Sequence, residues 1–192
     1  RNVLGVVPYN EIAMTIPIMV DPLVNVPVLP MILPLFKNFG YYCFCMPVTS
    51  LENQIRGEKI WGLPKVVQEI NIEETHDLCQ VEAKDSAGQT YYEMIVPKNG
   101  APTNFDVSAN LYSKRGEEFF QSPTHFKGNF NVIKYMGLLF QGRQIPKRQY
   151  LILSNTPSTE LLKNLTIEEH PFQLRYTSRM VSCFDLPKVK KI

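Results

Sequence analysis

Short alternating apolar segments, broken repeatedly by proline, glycine and turn residues, restrict this chain to a mainly β architecture. Tyr9 to Val20 (YNEIAMTIPIMV) alternates Glu11, Ala13 and Thr15 with Ile12, Met14 and Ile16, the period of a half-buried strand. Pro17 places that strand at an edge or a bulge. Asp21 to Phe36 is apolar but contains Pro22, Pro27, Pro30 and Pro34, which suit neither a central strand nor a regular helix. It reads as a long, partly buried connection and, being so apolar, as a contact between copies of the chain. Tyr41 to Val48 (YYCFCMPV) is a continuous apolar run, as in a strand covered on both faces. Leu78 to Lys84 and Thr90 to Val96 flank Asp85-Ser86-Ala87-Gly88, a hairpin signal. Val66 to Glu73, Val107 to Arg115, Asn131 to Gln141 and Gln173 to Phe184 add further strands. Two short helices are expected. One is Leu51 to Arg56, with Thr49 or Ser50 as N-cap and Gly57 placed to end it; the other is Thr159 to Asn164. No internal repeat is present. The expected class is α+β: a mainly antiparallel β-barrel or curved β-sandwich with a few short helices.

Several classes of function fall away on composition. The 192 residues support one core, and 44% hydrophobic with 20% charged residues is ordinary for a globular chain. A net charge of +2 without a basic stripe argues against nucleic acid as partner, and the basic tail Lys188-Val189-Lys190-Lys191 reads as solvated. The apolar run from Val24 to Phe36 is too short and too rich in proline to span a bilayer, so no membrane partner is expected. Cys43, Cys45, Cys79 and Cys183 have neither zinc-ligand spacing nor an easy bridge, which fits reduced thiols in a cytoplasmic protein. His76, His125 and His170 lie far apart and have no metal-ligand spacing. No phosphate loop, nucleophile elbow or dinucleotide fingerprint occurs, so neither a metal nor a cofactor is expected.

What remains is a lysine. Gly62 and Pro64 break regular structure just before Lys65, and Trp61, Leu63, Pro64, Val66 and Val67 surround it with apolar groups. Most lysines are solvated, and such a setting either lets the side chain reach water along its stem or desolvates the amine. Desolvation favours the neutral, nucleophilic form of an amine.

The segment Gly57 to Val67, with its core Trp61-Gly62-Leu63-Pro64-Lys65, resembles the Schiff-base segment of the acetoacetate decarboxylase-like family. Tyr9-Asn10-Glu11 is similar to the family's Tyr-x-Glu, and Phe172 to Pro187, ending Asp185-Leu186-Pro187, is similar to its last strand. The resemblance runs from about Tyr9 to Lys188. Three departures stand beside it. Val66 occupies the place of the decarboxylase's second lysine. Gly57-Glu58-Lys59 replaces the more usual Gly-Arg-Glu. The chain starts after the arginine and glutamate that precede Tyr-x-Glu in the family.

The resemblance implies a single acetoacetate decarboxylase-like domain over residues 1–192, lacking the family's N-terminal segment and assembling into homo-oligomers. It implies a lyase acting on a small keto acid or other carbonyl compound, with Lys65 and Glu11 as catalytic residues. Lys65 would attack the carbonyl and lose water to give an iminium. A β-carboxylate would leave as carbon dioxide, and the enamine would be protonated and hydrolysed. Glu11 would shuttle protons or orient the carbonyl. Two alternatives stay open: Schiff-base aldol or dehydration chemistry on another carbonyl substrate, and a non-catalytic small-molecule binding member in which Lys65 is unreactive.

Overall fold

Pairing of the apolar runs along the sequence accounts for most of the architecture. The computed structural model describes residues 7–22, 38–135, 150–154, 160–165, 167 and 170–191. Its strands are β1 (Met14–Met19), β2 (Phe39–Val48), β3 (Lys65–Val67), β4 (Glu69–Glu74), β5 (Leu78–Lys84), β6 (Thr90–Pro97), β7 (Ala101–Arg115), β8 (Glu118–Lys134), β9 (Leu151–Leu153), β10 (Gln173–Tyr176), β11 (Met180–Phe184) and β12 (Lys188–Lys191). Its helices are α1 (Leu51–Trp61) and the single turn α2 (Glu160–Asn164). The chain divides into two compact units. The first comprises Arg1–Val67, Asp106–Lys127 and Val181–Ile192, and the second Gln68–Phe105 and Gly128–Met180. The long strands β7 and β8 contribute residues to both.

In the first unit β2 is the hub. β1 runs antiparallel to it, from Met14 opposite Cys45 to Met19 opposite Phe39, with a bulge between Met14 and Thr15. β3 and β7 both run parallel to β2, pairing Met46 with Lys65 and Gly40 with Asn110. Gly40 is required there: a Cβ would stand 2.2 Å from the Asn110 carbonyl oxygen. These two parallel pairings are exceptions among described pairings that are otherwise antiparallel, as expected. Parallel neighbours need a crossover connection, and α1 supplies one between β2 and β3. The basic tail does not dangle: β12 pairs antiparallel with β8, Lys188 opposite Gln121 and Lys191 opposite Glu118. A core of Cys43, Met46, Val48 and Leu63 packs with Tyr9, Trp61 and Leu111.

The second unit is built on the antiparallel order β4-β5-β6-β9, with β10 pairing antiparallel with the end of β8. The β5–β6 hairpin turns where Asp85 was expected to turn it. Its carboxylate accepts from the backbone N–H of Ala87 at 2.9 Å and of Gln89 at 3.0 Å. Ile70 on β4, Val81 and Ala83 on β5, and Tyr91 and Val96 on β6 are buried.

Among the described residues neither sheet returns to its first strand, so the strand-rich class with a few helices is established, while the choice between barrel and curved sandwich is not made by the strand order. Most of the proline-rich connection, residues 23–36, and the end of the expected strand Asn131 to Gln141 lie outside the described residues. The expected last strand Gln173 to Phe184 is two strands, β10 and β11. No helix among the described residues is long and apolar enough to cross a membrane.

Candidate active site

Helix α1 is longer than the sequence suggests, and the reason bears directly on Lys65. Ser50 is its N-cap, its hydroxyl accepting from the Asn53 backbone N–H at 3.2 Å. Gly57, expected to end the helix, lies inside it and is buried. The helix ends instead at Gly62, whose φ of 60° is the left-handed conformation that glycine adopts without strain. The Gly62 N–H bonds back to the Glu58 carbonyl and the Leu63 N–H to that of Gly57, while Arg115 covers the Glu58 carbonyl from the side at 2.6 Å. Gly57 is a glycine for a different purpose. A Cβ on it would lie 2.5 Å from both Cδ and Cε of Lys65. The lysine's alkyl chain therefore runs across the bare face of the helix.

Lys65 is the first residue of β3 and only 7% exposed. Its backbone is fixed on several sides. Met46 N–H donates to the Pro64 carbonyl at 3.1 Å, Lys65 N–H to the Leu63 carbonyl at 2.8 Å, and Gln54 Nε2 to the Lys65 carbonyl at 3.1 Å. Its ammonium donates to the carboxylate of Glu11 and to Oδ1 of Asn53, and Nζ stands 5.6 Å from the centre of the Tyr9 ring. Val66, the next residue, alternates to the opposite face and is exposed.

Glu11 reaches the amine from a short staple rather than from the regular strand expected over Tyr9 to Val20. Glu11 forms an isolated antiparallel bridge with Val48. On either side, Thr49 N–H donates to the Asn10 carbonyl at 3.0 Å and Ile12 N–H to the Pro47 carbonyl at 3.0 Å. β1 starts only at Met14, but the expected alternation holds up to the bulge: Ile12 and Met14 are buried while Glu11, Ala13 and Thr15 are half-buried or exposed, and it breaks beyond it, where Ile16 is exposed. The Glu11 side chain is 28% exposed, against 5% for that of Lys65. Such a pair offsets the desolvation of the ammonium, and removing either partner would strand the other charge.

The residues around this pair are held in uncharged forms. Burial, then the nearby Glu11 charge, raises the Tyr9 hydroxyl above its ordinary range, and a hydrogen bond from Asn53 opposes them. Burial pushes the Cys43 thiol up to about 12, with Cys45 and Glu11 adding to it. All four cysteines are free thiols. The Trp61 indole N–H donates to the Asp185 carbonyl at 3.1 Å, so the aromatic residue of the lysine segment is tied to the C-terminal Asp185-Leu186-Pro187 run. The Ser113 hydroxyl donates to the Trp61 carbonyl at 2.6 Å.

The structure thus brings Lys65 and Glu11 into direct contact and adds Asn53, Tyr9 and Gly57, of which Asn53 and the interior role of Gly57 are not apparent from the sequence. One signal for them exists. Asn53 and Gly57 are four apart and share a helix face, but only if the helix runs past Gly57. Elsewhere in the first unit, His125 bridges Ser108 at 2.9 Å and Asp106 at 3.0 Å across β7 and β8. Lys127 first, then His125, hold the Asp106 carboxyl below its usual range. These side chains are about half exposed, and the cluster is an open polar face of the sheet rather than an enclosed site. No group of residues able to hold a metal ion occurs among the described residues.

Among the solved structures that resemble this chain are two of acetoacetate decarboxylases. One comes from structural studies of acetoacetate decarboxylase, with a TM-score of 0.54 and 14% identity, covering 96% of this chain and 68% of its own. The other is the acetoacetate decarboxylase of Legionella pneumophila, with a TM-score of 0.52 and 13% identity, covering 96% of this chain and 66% of its own. The chain therefore spans about two thirds of the length of each. The likeness defines an acetoacetate decarboxylase-like fold. No family profile matches the chain, and no curated protein matches it in sequence.

Proposed function

We propose that the protein is a Schiff-base-forming lyase in which Lys65 condenses with a carbonyl substrate and Glu11 handles the protons, with decarboxylation of an acetoacetate-type β-keto acid as the reaction. The observation that carries this reading is a nearly fully buried lysine amine paired with a carboxylate, in a chain with an acetoacetate decarboxylase-like fold. Burying a lysine costs free energy that a purely structural role seldom justifies, and such groups concentrate at functional sites. Lys65 would form the carbon–nitrogen bond, and its cationic iminium would draw electrons from the adjacent carbon as carbon dioxide leaves. Glu11, within hydrogen-bond reach, would pass the proton released on attack to the departing oxygen and, reprotonated from solvent after carbon dioxide leaves, protonate the enamine. The reading includes a single domain, assembly into homo-oligomers and a cytoplasmic location.

A second reaction is favoured by one observation. The position of the decarboxylase's second lysine is held by Val66, and Val66 faces away from the amine. Aldol or dehydration chemistry through the same Lys65 iminium would not call on that second charge. Both reactions predict the same covalent intermediate. Borohydride reduction in the presence of acetoacetate, pyruvate or acetaldehyde should add the reduced substrate mass to a peptide containing Lys65, and Lys65→Ala should abolish the adduct. Carbon dioxide release against aldol product then separates the two. Trapping on a different lysine, or on none, overturns the proposal and leaves the binding-member alternative.

A further inference from the structure

We infer that Asn53 is a positioning residue for the Lys65 amine: by accepting one of its N–H bonds, it turns the nitrogen lone pair toward a single direction of attack. This rests on the reading of Lys65 as the Schiff-base amine and adds to it a residue that reading does not use.

The starting point is valence. A neutral primary amine has two N–H bonds and one lone pair. Glu11 Oε2 and Asn53 Oδ1 both accept from Lys65 Nζ. Two N–H bonds given to two acceptors leave the lone pair in the remaining tetrahedral direction, away from both. With Glu11 alone, the nitrogen could rotate about Cε–Nζ among its staggered positions, and the lone pair would face the substrate for only part of the time. The Asn53 amide is carried on the first turn of α1, and the Tyr9 hydroxyl is its other polar neighbour. A flipped amide would set its N–H groups against those of the amine. One turn along the same helix, Gly57 holds the alkyl chain in line. Asn53 and Gly57 thus form a two-point cradle, one point for the stem and one for the nitrogen.

The chemistry indicates when Asn53 matters. On attack the lone pair forms the C–N bond, the carbonyl π pair moves to oxygen, and one N–H proton passes to that oxygen, with Glu11 as the relay. The second proton is the one Glu11 accepted when the resting ammonium became the neutral amine; with it the oxygen leaves as water, and the nitrogen keeps one N–H as the iminium. One N–H can no longer serve both acceptors, and the ionised carboxylate makes the stronger, charge-assisted bond. Asn53 therefore acts at the attack and is released after it.

The test is the rate of borohydride trapping on Lys65, read by mass spectrometry of the tryptic peptide as a function of carbonyl concentration. The probe is whichever of acetoacetate, pyruvate and acetaldehyde traps on the native chain. Asn53→Leu keeps the shape and removes the acceptor. It should lower the limiting rate about 10- to 100-fold, the range for a lost hydrogen bond to a charged or reacting group, while the half-saturating concentration stays within about twofold. Asn53→Asp restores an acceptor oxygen and should recover most of that loss. Tyr9→Phe removes the amide's other polar neighbour while keeping the ring beside the amine and should cost less, about 3- to 10-fold; it also provides the readout if Asn53→Leu does not fold. A limiting rate within about threefold of native in Asn53→Leu, or no loss in Tyr9→Phe when Asn53→Leu is unfolded, overturns the inference. Failure of the native chain to trap any of the probes on Lys65 overturns the Schiff-base reading first, so the two failures are distinct.

Discussion

A methyl group placed on Gly57 would press directly on the lysine stem. An alanine Cβ at this position would stand 2.5 Å from Cδ and Cε of Lys65. Non-bonded carbons rest at about 3.5 Å or more, so the stem must retreat by about 1 Å. It cannot do so freely, because its amine is held by Glu11 and Asn53 and its backbone by Met46, Leu63 and Gln54. Displacing a reacting group by about 1 Å can cost about 100-fold in rate. Stability responds much less. Alanine is favoured over glycine inside a helix by about 1 kcal/mol, and overpacking costs about 1–3 kcal/mol, so the net change lies between about zero and a loss of about 2 kcal/mol. Gly57→Ala should therefore remain folded by urea titration while its rate of borohydride trapping on Lys65 falls by about two orders of magnitude. Native-like trapping in a folded Gly57→Ala chain would refute the cradle. A loss of several kcal/mol with normal trapping in the folded fraction would show that the glycine serves packing alone.

Three further outcomes follow from the geometry. Glu11→Ala leaves a buried ammonium unpaired and should lose about 3 kcal/mol in urea unfolding, whereas the double variant Glu11→Ala, Lys65→Met should recover much of that loss; equal losses in both would dissociate the pair from stability. The Cys43 thiol stands at about 12 in the folded chain against an ordinary 9.0, so between those values the unfolded chain binds fewer protons than the folded one. Stability should then fall as pH rises through that window, by up to about 1.4 kcal/mol per unit, and the part due to Cys43 should vanish in Cys43→Ala. Gly62→Ala combines a left-handed φ with a Cβ 2.4 Å from the Phe120 ring and should lose about 2–4 kcal/mol. Gly88→Ala shares the positive φ of 75° but meets open space and should lose only about 1 kcal/mol in the same titration; equal losses would exclude the Phe120 contact as a cause.

Local chemistry made much of this protein legible without coordinates. The β5–β6 hairpin follows from Asp85 and Gly88, because turn preference is a property of a few adjacent residues. The β2 run and the N-cap at Ser50 follow for the same reason. Lys65 stood out because the Gly62-Leu63-Pro64 bend and its apolar neighbours are contiguous in sequence. Tertiary structure decided the rest. Gly57 read as a helix end, since local propensity cannot distinguish a glycine that stops a helix from one that makes room for a side chain eight residues later. The two parallel pairings of β2, the order of the strands and the docking of β12 on β8 are choices among partners far apart in the chain, and an apolar strand accepts any edge that buries it. Glu11 and Asn53 meet one amine across 54 and 12 residues of sequence. Their contact exists because the staple at Val48 and the register of Met46 with Lys65 bring three separate segments to one point, and no segment encodes that meeting alone.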